Sequence, residues 1–277
     1  MTDKKHAEFM QVGDFVTNFG GNELEHTEDL AGKSFTIHFN NSQVIRFTFE
    51  PGQKLEWLIL QGAASDQPDP VTYSESYRAS CLRHGYYLVD FVKRRNPTES
   101  VTLVIDLVKN IATSVIAIMP TREETLTPLF QRVIDREILS PMCHEISFGS
   151  IDHIFSENTA RHQPTEELIG KRVLYQYGPK DSYEHIYLNR EFYTWHCIQG
   201  PESGLADTDF CRYYKLTEAL YLFVWIEKVI PTIGVILIDF TRSKTTGKIF
   251  GYQGDDFGAT CNTPVGAYLT LKNETRY

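Results

Sequence analysis

The sequence predicts an all-β protein built as two tandem antiparallel β-barrels. Three observations carry this reading. Aromatic residues make up 13% of the 277 residues, including 15 Tyr and 17 Phe, a composition suited to pleated, half-buried surfaces. Apolar and polar residues alternate in many short runs separated by turn residues, the spacing of sandwiches and barrels. The second half of the chain repeats the first.

Residues 1–28 read as an extension. The segment 34–40 then places Phe35, Ile37 and Phe39 on one face, and 44–50 does the same with Ile45, Phe47 and Phe49. Pro51-Gly52-Gln53-Lys54 is turn chemistry, followed by a strand over 55–60. Strands are predicted over 86–92, 101–107 and 113–119. One helix is expected, with Thr127 and Pro128 as cap and first residue, running to Leu139 and stopped by Pro141. Strands resume over 171–177, 191–199, 209–216, 219–228, 234–240 and 246–252, while 178–182, 200–204 and 241–247 read as turns.

The repeat keeps its order. Leu30-Ala31-Gly32-Lys33 returns as Leu168-Ile169-Gly170-Lys171, an offset of 138. At an offset of 134, Arg78, Leu82, Tyr87 and Leu88 return as Arg212, Leu216, Tyr221 and Leu222. Ile105-Asp106 returns as Ile238-Asp239, an offset of 133. A period this long fits two domains of one kind and not a solenoid. The boundary is expected between about 120 and 165, dividing the chain into 1–140 and 141–277. An eight-stranded barrel has an interior wide enough for side chains or one small ligand.

Composition narrows the function. The net charge of −9 argues against a general nucleic-acid binder and against docking on anionic membranes. No apolar run approaches the ~20 residues that span a bilayer, and the N-terminus lacks a signal-peptide core. A cytoplasmic protein is expected, with its five scattered cysteines reduced. Nucleotide and nucleophile motifs are absent. His144, His153 and His162 recur nine apart, which fits no compact metal-ligand pattern, so no metal and no cofactor are expected.

The candidate site lies in the second half. Tyr175 and Tyr177 are two apart on a strand, so both face one way. Glu227 shares its parity with Tyr221, Phe223 and Trp225, which puts a carboxyl at the end of an aromatic face. Burial there would raise its pKa and suit it to general acid or base work. Trp195 joins the expected binding wall, and Arg212 is a candidate to hold an anion. Arg78 is a candidate substrate-binding residue of the first half, but Arg78 and Arg212 recur in the repeat, so both are also read as architectural, tying a strand to a carbonyl or carboxylate. His84, of like parity to Arg78, is the remaining candidate to line the first barrel. At the positions of Tyr175, Tyr177 and Glu227 the first half carries Ile37, Phe39 and Lys93, so the polar set belongs to the C-terminal half alone.

Two families are resembled. The doubled layout, the Leu-x-Gly-Lys opening of each half and the 234–254 segment resemble the MoaF family (molybdenum cofactor biosynthesis protein F) over nearly the whole chain, which implies lipocalin- or calycin-like barrels. The runs 173–178, 216–228, 234–240 and 248–252 are similar to phenolic acid decarboxylases, small calycin barrels that release carbon dioxide from p-hydroxycinnamic acids. That resemblance implies that Tyr175 and Tyr177 are the family's tyrosine pair and Glu227 its glutamate. Arg212 stands nearest to its arginine, but off the family's spacing. The expected function is a decarboxylase-like lyase or isomerase acting on a small aromatic acid. The alternative is a lipocalin-like small-molecule binding protein without chemistry. A homodimer is the expected assembly.

Overall fold

The computed structural model describes residues 8–18, 20–62 and 71–276; residues 1–7 of the expected extension fall outside them. The chain is all-β, with three short helices among the described residues, in the order α1 (Val12–Asn18), β1 (Ser34–Phe39), β2 (Val44–Glu50), β3 (Lys54–Gln61), β4 (Thr72–Arg83), β5 (Tyr86–Val92), β6 (Glu99–Asp106), β7 (Ile111–Ile118), α2 (Arg122–Leu126), α3 (Leu129–Ile134) and β8 (Cys143–Ile151). There follow β9 (Gln163–Pro164), β10 (Lys171–Gly178), β11 (Asp181–Tyr187), β12 (Phe192–Gln199), β13 (Ala206–Thr217), β14 (Leu220–Glu227), β15 (Thr232–Asp239), β16 (Lys244–Tyr252), β17 (Thr260–Val265) and β18 (Tyr268–Glu274).

The first barrel runs in chain order from β1 to β8 and closes by antiparallel pairing of β1 with β8, Ile37 opposite Ile151. The second contains β10 to β16 and β18, closed where β12 pairs with β13, Phe192 opposite Phe210. Closure removes the unpaired edges that an open sheet would expose. The alternation read from sequence sets the pleat of the first barrel: Phe35, Ile37 and Phe39 point inward with Phe47, Phe49 and Leu55.

The repeat is a repeat of turns as well as strands. In each half the carbonyl of the first leucine (Leu30, Leu168) accepts the N–H of the lysine three on at 3.0 Å, and the leucine is fully buried. The glycine between them takes a positive φ, +78° at Gly32 and +84° at Gly170, which is open to glycine without strain. At Gly170 a side chain would also meet the Thr275 carbonyl at 2.0 Å. Asp106 and Asp239 both cap the following hairpin, Asp106 accepting the N–H groups of Val108 and Lys109 at 2.9 Å and Asp239 that of Arg242 at 3.0 Å. Gly85 and Ala219 hold the same corner, both at positive φ, +85° and +55°.

The two compact units are not two contiguous halves. One comprises Leu24–Ile118 and His144–Gln163. The other comprises the described residues up to Glu23, Met119–Cys143 and everything from Pro164 onward. The strand after residue 140 therefore completes the first barrel, and the N-terminal segment packs with the second. The helix expected from Pro128 to Leu139 is present as α3 but ends at Ile134, and a second short helix, α2, precedes it. Thr121 caps α2 in a capping box with Glu124, and Thr127 ends it before Pro128, where the backbone preceding proline leaves the helical region.

Candidate functional site

The interior of the second barrel is built of aromatic side chains from five strands. Tyr183, His185 and Tyr187 on β11 face Tyr193 and Trp195 on β12, and Phe223 and Trp225 on β14 stack at 5.1 Å between ring centroids. Trp225 lies flat against β15 because its cross-strand partner is Gly234, where a side chain would meet the indole ring at 2.0 Å. At one end of this interior is a small cavity of about 40 Å³, lined among others by Phe15, Tyr177, Tyr183, His185, Trp225 and Glu227. α1 supplies Phe15, and Phe9 meets Trp195 edge-on at 6.1 Å. The backbone N–H of Met10 donates to Glu202 at 3.0 Å, fastening the N-terminal segment to the β12–β13 connection.

Three carboxyls gather at this end, each holding a donor from an aromatic residue. Glu227 accepts the Trp225 indole N–H at 3.0 Å, Asp209 accepts that of Trp195 at 2.9 Å, and Glu202 accepts the Tyr183 hydroxyl at 2.9 Å. Burial raises the pKa of all three, and Asp209 and Glu202 each add to the rise at Glu227. Lys228 relieves Asp209, donating its backbone N–H at 3.1 Å and placing its ammonium at 3.4 Å. Asp209 therefore ionises first, and Glu227 keeps its proton to higher pH. Burial also lowers the pKa of His185 to about 3, leaving a neutral imidazole on the cavity wall. Tyr177 is raised by burial and then by the Glu227 charge, so its phenol stays protonated. Among the described residues no three His, Cys, Asp or Glu side chains form a metal-ligand set. His162 is instead buried against the Thr113 hydroxyl at 2.8 Å and Asp106 at 3.4 Å.

The sequence-predicted set is brought together only in part. Tyr177, Trp195, Trp225 and Glu227 line the one cavity, and Phe223 stacks beneath Trp225. Tyr175 faces inward as its parity required but sits deeper, its hydroxyl bonded to that of Tyr187 at 2.6 Å. Tyr221 bonds Glu167 at 2.6 Å, away from the cavity. Arg212 lies on the outer face of β13, opposite in parity to Asp209, Cys211 and Tyr213. There it stacks 4.0 Å over Phe210 and pairs with Glu191 at 3.3 Å. Its counterpart Arg78 donates to the Leu24 carbonyl, so both take the architectural places that their recurrence suggested. His84 is exposed in the β4–β5 turn. Glu202, Asp209, Tyr183, His185 and Tyr193 were not singled out from sequence. Parity alone would have found Asp209, since it shares the inward face of β13 with Tyr213.

Comparisons with known proteins agree with the doubled architecture. The family model for the MoaF N-terminal domain matches residues 7–121, and that for the MoaF C-terminal domain matches residues 162–275. Protein MoaF of Klebsiella aerogenes is 39% identical over 280 residues, covering 98% of this chain and 98% of that one. Among solved structures, one described as "Crystal Structure of a putative beta-lactamase from Burkholderia vietnamiensis" aligns with a TM-score of 0.32 at 14% identity, over 40% of this chain and 99% of its own. Both domain models and the full-length relative thus place the chain in the MoaF family.

Proposed function

We propose that the second barrel is a proton-transfer site for a small aromatic molecule, working as a lyase or isomerase with Glu227 as the acid–base group. The observation that carries this reading is the Glu227 carboxyl, its proton held by burial and by neighbouring Asp209, on the wall of an aromatic cavity shared with Tyr177. Asp209, relieved by Lys228, is the companion group that ionises at lower pH. Two carboxyls whose surroundings push their pKa values apart supply an acid and a base at one pH. With Arg212 on the outer face, a substrate carboxyl or phenol would be received by the hydroxyls of Tyr177 and Tyr183 and by the Glu227 proton. The cavity of about 40 Å³ has room for about three or four water molecules, at ~10–15 Å³ each. A ring therefore enters only when Phe15 and α1 move aside.

The test is incubation with hydroxycinnamic acids and their neutral and amino analogues, following product mass and melting temperature. Wild-type protein is expected to convert at least one compound, with turnover lost in Glu227→Gln and reduced in Tyr177→Phe. Turnover that survives Glu227→Gln unchanged refutes the assignment. A melting shift that persists in Glu227→Gln with no product supports the alternative, a binding barrel without chemistry.

A further inference from the structure

The cavity inside the first barrel is larger than the one that Glu227 lines, and its walls carry a different chemistry. Its volume is about 110 Å³, lined by Phe39, Phe47, Trp57, Phe91, Ile45 and Ile59 among others. A closed cavity of ~150 Å³ with comparable apolar walls takes up benzene, so a single ring fills this smaller one and its substituent extends toward the open end. Partly exposed Gln43, Ile59 and Lys93 mark its open end. Lys93 is the residue that the repeat aligns with Glu227, so both barrels carry a polar group at the corresponding place. Lys93, the one ionisable side chain among the described lining residues, is already paired with Glu99.

Trp57 adds the specific feature. It is 8% exposed, and its indole Nε1 finds no acceptor among the described residues. In the second barrel the same atom of Trp195 and Trp225 is bonded to a carboxylate at 2.9 and 3.0 Å. The ring is held in place by stacking on Tyr73, 4.0 Å between centroids and 12° from parallel, with Arg95 over Tyr73 at 5.1 Å. A buried N–H without an acceptor is costly, and a bound acceptor recovers that cost. A fixed donor in an apolar chamber whose lysine is already paired selects an uncharged ring bearing one oxygen acceptor.

We propose that the first barrel is a second, independent small-molecule site, for a neutral single-ring compound whose carbonyl or ether oxygen accepts from Trp57 Nε1. It stands whether or not the second barrel is catalytic.

The test uses the intact chain labelled with ¹⁵N in tryptophan. Its three indole N–H signals are assigned by Trp57→Phe, Trp195→Phe and Trp225→Phe. Acetophenone and ethylbenzene serve as probes, alike in shape but differing in the acceptor. The expected result is a saturable downfield shift of the Trp57 signal with acetophenone and at least fivefold weaker binding of ethylbenzene. Calorimetry with Trp57→Phe should show acetophenone falling to the ethylbenzene affinity. An unmoved Trp57 signal up to the solubility of acetophenone overturns the proposal. So does a response confined to Trp195 or Trp225, or equal affinity for the two probes. A shift abolished by Ile45→Phe, with the other two indole signals unmoved, supports it.

Discussion

His185 offers a direct measure of how dry the second barrel is. The side chain is 3% exposed and packed between Tyr175, at 4.6 Å between centroids, and Tyr193, at 5.1 Å. Its Nδ1 has no hydrogen-bond partner among the described residues. Burial lowers its pKa to about 3 in the folded chain, against ~6.5 when unfolded. The folded pKa is the lower one, so the unfolded chain takes the proton first as pH falls. Stability is complete above pH ~6.5 and is lost progressively on acidification. At pH 5 the unfolded chain gains about 1.5 pH units of protonation free energy, or about 2 kcal/mol. His185→Phe removes this dependence. The assay is urea unfolding at pH 7 and pH 5 in a Trp57→Phe background, where the remaining fluorescence comes from Trp195 and Trp225 in the second barrel. The unsubstituted His185 protein should lose about 2 kcal/mol more than His185→Phe between the two pH values. The raised carboxyls act with the opposite sign but are common to both proteins and cancel. Equal losses would refute the reasoning and show that water or a partner reaches the imidazole.

Glu227→Gln tests the opposite sign. The folded pKa of Glu227 is raised, so its stability is complete below the ordinary carboxyl range and declines as pH rises; the variant should gain melting temperature over wild type as pH climbs above that range, levelling off once Glu227 has ionised in the folded chain. Tyr187→Phe strands the Tyr175 hydroxyl, bonded to it at 2.6 Å, and should cost about 1–3 kcal/mol in urea unfolding. Gly234→Ala puts a methyl 2.0 Å from the Trp225 ring, and should lower the melting temperature by about 1–3 kcal/mol equivalent while shifting indole emission. Ala219→Gly relieves a residue at φ +55° where its counterpart is already glycine, and should stabilise by about 1 kcal/mol in the same assay.

How much was legible follows from what each strand shows to the core. β1 and β2 have plain alternation, so their faces could be read from period two, whereas β14 is apolar throughout and its inward face could be read only by counting parity back from Glu227. β11 could not, because its inward residues are Tyr183, His185 and Tyr187 and it begins within a Gly-Pro-Lys-Asp-Ser stretch that reads as a turn. β4 is long and polar on its outer face, and β8 mixes polar residues with Gly149, so neither shows a period. Face was readable at the site, but depth along the barrel was not. Tyr175 and Tyr177 share a face, yet only Tyr177 reaches the cavity. Arg212 was drawn in as the nearest match to a family's arginine, although the parity of Asp209 and Tyr213 places it outside.

The bond from Met10 to Glu202 joins residues 192 positions apart, which bears on the order in which a ribosome delivers them. At ~5–20 residues per second, the N-terminal segment waits roughly ten to forty seconds for the acceptor it will hold. During that interval Phe9, Val12 and Phe15 have no barrel to cover, while the first barrel can assemble as soon as β8 emerges. That early segment finally settles on β16 and β17, the strands against which α1 packs, and both are made late. The N-terminal segment is thus fixed only in a late step, and a ribosome that stalls before β16 leaves apolar Phe9, Val12 and Phe15 uncovered at a time when the first barrel can already fold.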